Sequence, residues 1–243
     1  TALILICAGQ PIVLQGAGRM PIKYGITTAE LFESMGLNLR GLKLKHVQEG
    51  FEKFGFAFIH QPDHFALADN LIPYRDEIGK RPPIASMELL WTAHQNEHLL
   101  VSGFVHPPTE ERAWKTLQIK GENDVITIKG LEGSTDLSTN RACITGRFQN
   151  NIPKRIILHP RQHNRYEKDI EWSNLNSWSI MAKQALQNDG PLKTSLQWNA
   201  GVYLWFAGIC DSIDQGLEKA ESLMSRQLAQ NKLTQIINWR NQV

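Results

Sequence analysis

Apolar residues recur at helical spacing through several stretches of the chain. From Leu44 to Phe54 they follow one another at steps of three and four residues, which predicts an amphipathic helix that ends at Gly55. Four further stretches have helical spacing: 28–35, 63–97 with a break at Pro82-Pro83, 108–117 and 173–239. The helix predicted over 108–117 has Glu110 and Glu111 in its first turn, where the helix dipole favours acidic side chains.

Short apolar runs, rich in β-branched and aromatic residues, lie between these helices. The runs 11–14, 56–60, 125–129 and 155–158 predict buried strands. Because strands alternate with helices, the pattern predicts an α/β fold with a mostly parallel sheet, flanked by helices on both faces, and a helical C-terminal half.

The composition is that of a globular protein with a substantial core. The chain has 243 residues, 42% of them hydrophobic and 21% charged, which suits one domain or one large and one small domain. With 26 basic and 24 acidic side chains, the net charge of +2 favours no class of charged partner, so any basic surface must be local.

The cysteines and the N-terminus bear on the cellular compartment. Cys7, Cys143 and Cys210 form an odd, widely spaced set without the spacing of a metal site, which predicts reduced thiols and a cytoplasmic location. The apolar run 1–8 is too short to span a bilayer, so no membrane association is expected.

The segment 13–36 combines a strand, a glycine-bearing basic loop and a helix without interruption. Gly16 and Gly18 allow tight turns and close approach of a ligand to the backbone, and Arg19 and Lys23 add positive charge. These features predict a site for phosphate or polyphosphate. A plain connection between strand and helix is the alternative.

The helix that follows this loop begins with a recognisable signature. Thr27 and Glu30 have the spacing of a capping box, in which each side chain accepts a hydrogen bond from the backbone of the other residue. Thr28 is then the first helical residue.

The same segment resembles the second glycine-rich loop of the anthranilate phosphoribosyltransferase family (glycosyltransferase family 3). It is most similar to a divergent second class of that family, in which Met-Pro-x-Lys-Tyr-Gly follows the loop. The similarity continues through four further runs: 54–58 (Phe-Gly-Phe-Ala-Phe), 72–79 (Ile-Pro-Tyr-Arg-Asp-Glu-Ile-Gly), 132–137 (Glu-Gly-Ser-Thr-Asp-Leu) and 198–200 (Trp-Asn-Ala). The order and spacing of these runs make the resemblance specific.

The resemblance implies a fold, an activity and partners. The fold would be that of nucleoside phosphorylases and phosphoribosyltransferases, with residues 1–243 forming one glycosyltransferase family 3 α/β domain. The activity would be transfer of phosphoribosyl from phosphoribosyl pyrophosphate (PRPP) to an aromatic amine, of the tryptophan-biosynthesis type, with Mg²⁺ as cofactor. A homodimer would be expected at full length.

The resemblance also implies site residues, although it assigns no catalytic one. Phosphate and substrate contacts would come from Thr1, Gln15, Gly16, Gly18, Arg19, Lys23, Thr27, Thr28 and Arg75. Arg75 falls where the family keeps an arginine for the acceptor carboxylate, while Gln15 stands where the family has an imidazole. An ordinary surface cation beside Asp76 and Glu77 is the alternative for Arg75.

For the metal, the resemblance points to one carboxylate. The family's Asp-Glu pair matches Thr135 and Asp136, so Asp136 would bind Mg²⁺ together with substrate phosphates and water. The alternative is that Asp136 caps a turn in the run that begins at Ser134.

The N-terminus resembles the middle of the family's domain. Thr1 matches the last residue of an Asn-x-Ser-Thr turn, which a Gly-Thr-Gly-Gly loop precedes in the family. We therefore expect a fragment that lacks a helical region of roughly a hundred residues. The stretch 63–97 would be a hinge that contacts this region.

A second function remains open at this point, because the divergent class includes proteins that bind nucleic acid. Lys154, Arg155, Arg161 and Arg165 form a local basic stretch, and lysine and arginine contacts with phosphate would give salt-sensitive binding. The alternative is that these cations lie on solvated loops, diluted by the acidic residues within 167–171.

Overall fold

The computed structural model describes residues 1–21, 23–79, 84–149 and 152–243, and in it the chain forms two compact units. Unit 1 comprises Thr1–Pro83, Glu171–Lys193 and Glu218–Val243, and unit 2 comprises Ile84–Ile170 and Thr194–Leu217. Within the described ranges, no helix is both long enough and apolar enough to cross a membrane.

The described residues form twelve α-helices and six strands. The helices are α1 Ala2–Cys7, α2 Thr28–Ser34, α3 Leu44–Phe54, α4 Gln61–His64, α5 Ala66–Asp69, α6 Ile72–Ile78, α7 Ile84–Met87, α8 Pro107–Lys120, α9 Leu175–Leu186, α10 Lys193–Phe206, α11 Ile213–Ser225 and α12 Leu228–Arg240. The strands are β1 Ile12–Gly16, β2 Phe56–His60, β3 Leu100–Gly103, β4 Asp124–Ile128, β5 Cys143–Gln149 and β6 Ile152–Leu158.

Unit 1 is built around a parallel pair of strands. β1 pairs with β2 from Ile12 opposite Phe56 to Gly16 opposite His60, so both strands end at the same edge. Helix α3 ends at Gly55, which adopts the left-handed conformation that glycine tolerates best (φ 69°) and turns the chain into β2. One face of the pair packs against α3 in a cluster of Leu42, Val47, Ala57, Val13, Phe51 and Ile59.

Unit 2 contains a four-stranded sheet in the order β3-β4-β5-β6. The pair β3-β4 is parallel, whereas β4-β5 and β5-β6 are antiparallel. Helix α10 packs on this sheet through a buried cluster of Ile126, Ile128, Leu137, Cys143, Leu158, Trp198, Val202, Phe206 and Leu217. A second cluster joins the sheet to α8 through Leu100, Leu117, Val125 and Phe148, with Leu90 and Trp114 at its margin.

The predicted α/β class with helices beside the sheets is confirmed, and so are the helices predicted over 28–35, 108–117 and 173–239. The strand pairing is more mixed than the predicted, mostly parallel sheet. The described strands form two sheets, and half of their pairings are antiparallel. Only two residues separate β5 from β6, and a connection that short joins antiparallel strands.

The prediction for 63–97 is wrong in part. Helices α4 to α7 are short, a 3₁₀ turn covers Glu88–Leu90, and 91–97 is not helical. The break predicted at Pro82-Pro83 lies outside the described residues. The sequence patterns also missed α1 and β3, because short elements carry too few residues to display a period, and they missed β5.

Candidate functional site

The loop that follows β1 in unit 1 is the first part of the candidate site. Gly16 is the last residue of β1, and a Cβ atom built on it would lie 3.3 Å from Cζ of Phe58, so a side chain here would crowd that ring. A Cβ atom on Gly18 would meet nothing within 4 Å. Gly18 therefore borders open space, and protein packing does not require a glycine there.

The predicted capping box at the start of α2 is confirmed. The hydroxyl of Thr27 accepts a hydrogen bond from the Glu30 backbone N–H (3.2 Å), and the Glu30 carboxylate accepts one from the Thr27 N–H (2.9 Å). Thr28 is exposed as the first residue of α2. These bonds fix the point at which the loop becomes a helix.

Arg19 is half-exposed and forms an ion pair with Glu30. Its Nη2 donates to Oε1 of Glu30 at 2.7 Å, and its Nε donates to both carboxylate oxygens of the same side chain. A phosphate bound at Arg19 would therefore share the guanidinium with Glu30. The hydrogen bond from Arg19 is the main reason why the pKa of Glu30 falls from about 4.5 to about 2.

This lowered pKa predicts how stability responds to acid. A carboxyl whose pKa is lower in the folded state stabilises the fold fully above pH 4.5, and this contribution is lost as the pH falls from 4.5 towards 2. Because the pair is largely solvent-screened, we expect at most about 1 kcal/mol. Urea unfolding of Glu30→Gln at pH 7 and pH 3 should show a smaller acid loss than the unaltered chain. An equal loss in both proteins would contradict the assignment, and Glu33→Gln, an exposed residue of the same helix, is the matched control.

Helix α6 contacts the same loop through two neighbouring residues. The Tyr24 hydroxyl donates to the carboxylate of Asp76. Nη1 of Arg75 donates to the sulfur of Met20 at 2.8 Å, and Arg75 is only 4% exposed. Arg75 is therefore no ordinary surface cation, and the alternative weighed for it is wrong.

The remaining unit 1 residues of the predicted site are Thr1, Gln15 and Lys23. Thr1 precedes α1, and its carbonyl accepts from the Ile4 N–H at 2.9 Å. Gln15 is exposed on β1, one residue before Gly16, and Lys23 is exposed in the loop. The structure thus brings Gln15, Gly16 and the loop residues into one continuous segment.

Asp136 lies on a tightly held loop of unit 2. The turn is closed by the Ser134 hydroxyl, which accepts from the Asp136 N–H at 3.2 Å, so the carboxylate of Asp136 does not cap it. The Asn199 side chain accepts from the Leu137 N–H at 2.8 Å and donates to the Leu137 carbonyl at 2.9 Å. The Tyr203 hydroxyl donates to the Thr135 carbonyl at 2.6 Å.

These bonds explain why two distant runs of the sequence belong together. The run 132–137 and the run 198–200 meet where α10 clamps the backbone on both sides of Asp136. Sequence reasoning missed the roles of Asn199 and Tyr203, since no local pattern connects residues more than sixty positions apart. Burial raises the pKa of the Tyr203 phenol, which keeps it a hydrogen-bond donor at neutral pH.

The candidate metal site consists of one carboxylate. Across the ranges that the structure describes, no group of three or more His, Cys, Asp or Glu side chains is arranged to hold a metal ion. Asp136 is exposed, which suits one ligand of an ion whose other ligands are substrate phosphate oxygens and water. Asp136 therefore fits a Mg²⁺ ion that binds together with the substrate, and the described residues do not enclose an ion on their own.

The four basic residues proposed to bind nucleic acid have different surroundings in the structure. Arg155 pairs with Glu110, a fully buried carboxylate of α8, and its guanidinium lies 5.4 Å from the centre of the Trp114 ring, so its predicted role in phosphate contacts is corrected. Arg161 stacks on Tyr166 at 3.7 Å, and Nη1 of Arg165 donates to the Asn164 carbonyl at 3.2 Å. Lys154 is exposed. The nucleic-acid alternative is therefore not favoured.

The fold as a whole is that of a phosphoribosyltransferase. The anthranilate phosphoribosyltransferase of Thermus thermophilus superposes with a TM-score of 0.74 at 17% identity, covering 99% of this chain and 71% of that one. The Saccharomyces cerevisiae enzyme, solved in complex with PRPP and Mg, superposes with a TM-score of 0.78 at 13% identity, covering 100% of this chain and 69% of that one.

Sequence relatives carry the identification one step further. The anthranilate phosphoribosyltransferase of Janthinobacterium sp. (strain Marseille) is 25% identical over 241 residues, which is 98% of this chain and 70% of the relative. That of Ralstonia pickettii (strain 12J) is 24% identical over 243 residues, with 98% and 69% covered. The family described as "Glycosyl transferase family, a/b domain" matches residues 1–230, and the chain belongs to this family.

Proposed function

We propose that the protein is a phosphoribosyltransferase that uses PRPP as donor and an aromatic amine bearing a carboxylate as acceptor, as in tryptophan biosynthesis. The family match and the relatives named for anthranilate support this class of reaction. The structural observation that carries the proposal is Arg75, a buried guanidinium whose Nη1 faces Met20 of the loop after β1. A buried arginine beside an anion-binding loop suits recognition of a substrate carboxylate.

The reaction requires positioning more than covalent chemistry. The bond from C1′ of the ribose to pyrophosphate breaks while the amine nitrogen attacks C1′, through a state with oxocarbenium character. A protein accelerates such a step by holding the two reactants in line and by stabilising the charge of the leaving group. We assign the donor to the segment from Gln15 to Lys23 with Thr27 and Thr28, Thr1 to its phosphates, and the acceptor carboxylate to Arg75.

Magnesium belongs to this proposal as an ion bound to the donor's pyrophosphate, where it would supply positive charge. Asp136 would contribute a single carboxylate oxygen to it. We further propose a cytoplasmic location, supported by the three free cysteines of the chain. The homodimer stays a prediction, which sedimentation velocity would check, and so does the contact of 63–97 with a further helical region.

Calorimetric titration with PRPP, with and without Mg²⁺, tests the donor site. We expect saturable heat that depends on Mg²⁺. Lys23→Ala should raise the PRPP Kd about 10-fold, because one charge-assisted hydrogen bond contributes about 1.5 kcal/mol. Lys43→Ala, an exposed lysine outside the loop, should leave the Kd unchanged. No heat at millimolar PRPP would overturn the proposal.

The acceptor site is tested by Arg75→Lys, which keeps the charge but loses the fork of donors. We expect the Kd for PRPP to stay the same and the KM for anthranilate to rise about 10-fold. A KM that is unchanged for anthranilate would show that the carboxylate binds elsewhere.

A further inference from the structure

A histidine and an aspartate form a pair at the edge of the sheet of unit 1. His60 is the last residue of β2 and lies opposite Gly16, the last residue of β1, so it borders the loop assigned to the donor. Its Nδ1 lies 2.7 Å from Oδ2 of Asp63, the third residue of α4. The carboxyl ends of parallel strands are where α/β proteins place their reactive groups.

The surroundings of Asp63 decide which ring nitrogen of His60 carries the proton. Burial raises the pKa of the Asp63 carboxyl, but hydrogen bonds from the Gly41 N–H (2.7 Å) and from His60 outweigh burial and lower the pKa overall. Asp63 is therefore ionised at neutral pH and can only accept hydrogen bonds. Nδ1 of His60 must then be the donor, which leaves the lone pair of the neutral ring on Nε2.

The neighbouring His64 has a different role. Its Nδ1 accepts from the backbone N–H of His60 at 3.0 Å, so its Nε2 carries the proton and donates to the Leu42 carbonyl at 2.8 Å. Both nitrogens of this ring are thus occupied by backbone groups. His64 holds α4 against the end of β2 and has no nitrogen left for a substrate.

His60 is held in place from the sheet as well. The ring stacks with Phe58, two residues earlier on β2, at 6.1 Å between centres, and its side chain is 7% exposed. Phe58 in turn lies beside Gly16. Two titratable side chains bond to His60: Asp63 at its Nδ1 and His64 at its backbone N–H, whereas its β1 and β2 neighbours Gly16 and Phe58 carry no charge.

We propose that His60 is the proton acceptor of the transfer reaction and that Asp63 is its positioning residue, an inference that rests on the proposed function. The acceptor nitrogen forms its bond to C1′ with its lone pair, and the electrons of the C1′–O bond leave with pyrophosphate. The nitrogen then loses one proton, which passes to Nε2 of His60 and from there to solvent. A base held by a carboxylate in one tautomer suits this transfer.

The spacing of His60 and Asp63 in the sequence indicates this pair. A His-x-x-Asp spacing begins at the last residue of the apolar run 56–60, which places both side chains at the end of a buried strand. Such a spacing brings the two residues within one turn of each other when a helix follows at once.

The dependence of kcat on pH tests the inference, with anthranilate and PRPP as substrates. His60→Gln should lower kcat about 100-fold, leave KM unchanged and remove the loss of activity at low pH, because the group that becomes protonated there is gone. Asp63→Asn should lower kcat at an unchanged KM for both substrates, because the ring of His60 is no longer held in the tautomer that leaves the lone pair on Nε2. His64→Gln is the matched control, and it should lower the melting temperature but keep the shape of the pH profile.

Calorimetry with PRPP on the same variants separates this inference from the proposed function. If the unaltered protein binds PRPP and turns over while His60→Gln keeps its rate and its pH profile, the inference is overturned and the proposed function stands. If the unaltered protein neither binds PRPP nor turns over, the proposed function fails and the assignment of His60 fails with it. Intact PRPP binding in a slow His60→Gln variant supports both.

Discussion

Replacing Arg155 with methionine is expected to lower the free energy of unfolding by about 3 kcal/mol, because it leaves the buried carboxylate of Glu110 without its cationic partner. Glu110 is fully buried, and Nη1 of Arg155 donates to its Oε1 at 2.9 Å while Nη2 donates to its other oxygen. Without Arg155, the hydroxyl of Thr127 is the other side chain that donates to this carboxylate. One neutral donor does not compensate for the lost solvation of an ionised group.

Urea unfolding at pH 7 measures this effect. Lys154→Met is the matched control, since it removes an exposed cation from the adjacent position of β6 and should change the free energy of unfolding by less than about 0.5 kcal/mol. The double variant Glu110→Gln with Arg155→Met should recover most of the lost free energy of unfolding, because the amide that replaces the carboxylate is uncharged and needs no cationic partner. Equal free energies for Arg155→Met and Lys154→Met would contradict the prediction.

The Glu110 to Arg155 pair marks a limit of reasoning from local sequence. Glu110 lies in the first turn of α8, where a helix dipole accounts for an acidic residue, and Arg155 lies in a basic stretch typical of a surface. Each local interpretation is reasonable, yet the two residues are neighbours in the fold and form one ion pair, in which the carboxylate is buried and the guanidinium is partly exposed. Contacts across 45 positions depend on strand pairing, which the sequence patterns did not fix.

Features that depend on consecutive residues were predictable. The capping box of Thr27 and Glu30 and the end of α3 at Gly55 require only a few neighbouring residues, and both are confirmed. The same holds for α8 and the long helices of the C-terminal half, whose apolar faces repeat over several turns. Strand β5 was missed because nothing in its own residues distinguishes it until β4 and β6 lie beside it.

The place of the candidate loop between a strand and a helix was predictable, but its contacts were not. The loop from Gly16 to Lys23 follows a strand and precedes a helix, as expected. The partner of Arg19, the burial of Arg75 and the clamp of Asn199 on Leu137 arise only in the folded chain, because each joins elements that are distant in sequence or depends on packing. Burial in particular is a property of the whole unit.

Replacing Gly103 with alanine is expected to lower the free energy of unfolding about as much as Arg155→Met does. The new Cβ atom would overlap backbone atoms, which cannot rotate away as a side chain can. A Cβ atom on Gly103, the last residue of β3, would lie 1.8 Å from the Gly133 carbonyl oxygen and 2.9 Å from that of Ser134. We expect a loss of about 3 kcal/mol, the upper end for overpacking, and a melting temperature about 10 °C lower. Gly25→Ala is the control, since its Cβ atom would meet nothing within 4 Å.

The loop beside Gly103 also contains Asp136. The loss of stability in Gly103→Ala therefore depends on the hydrogen bonds that α10 makes to this loop. Asn199 holds Leu137 by two hydrogen bonds, so the loop cannot shift away from a new Cβ atom without breaking them. In an Asn199→Ala background the loop is released, and Gly103→Ala should then cost less than it does in the unaltered chain. Thermal melts of the two single variants and the double variant measure this coupling. If the stability losses of the two single variants simply add in the double variant, the loop moves away from the new Cβ atom whether or not Asn199 is present. The Asn199 hydrogen bonds would then not hold Asp136 in place.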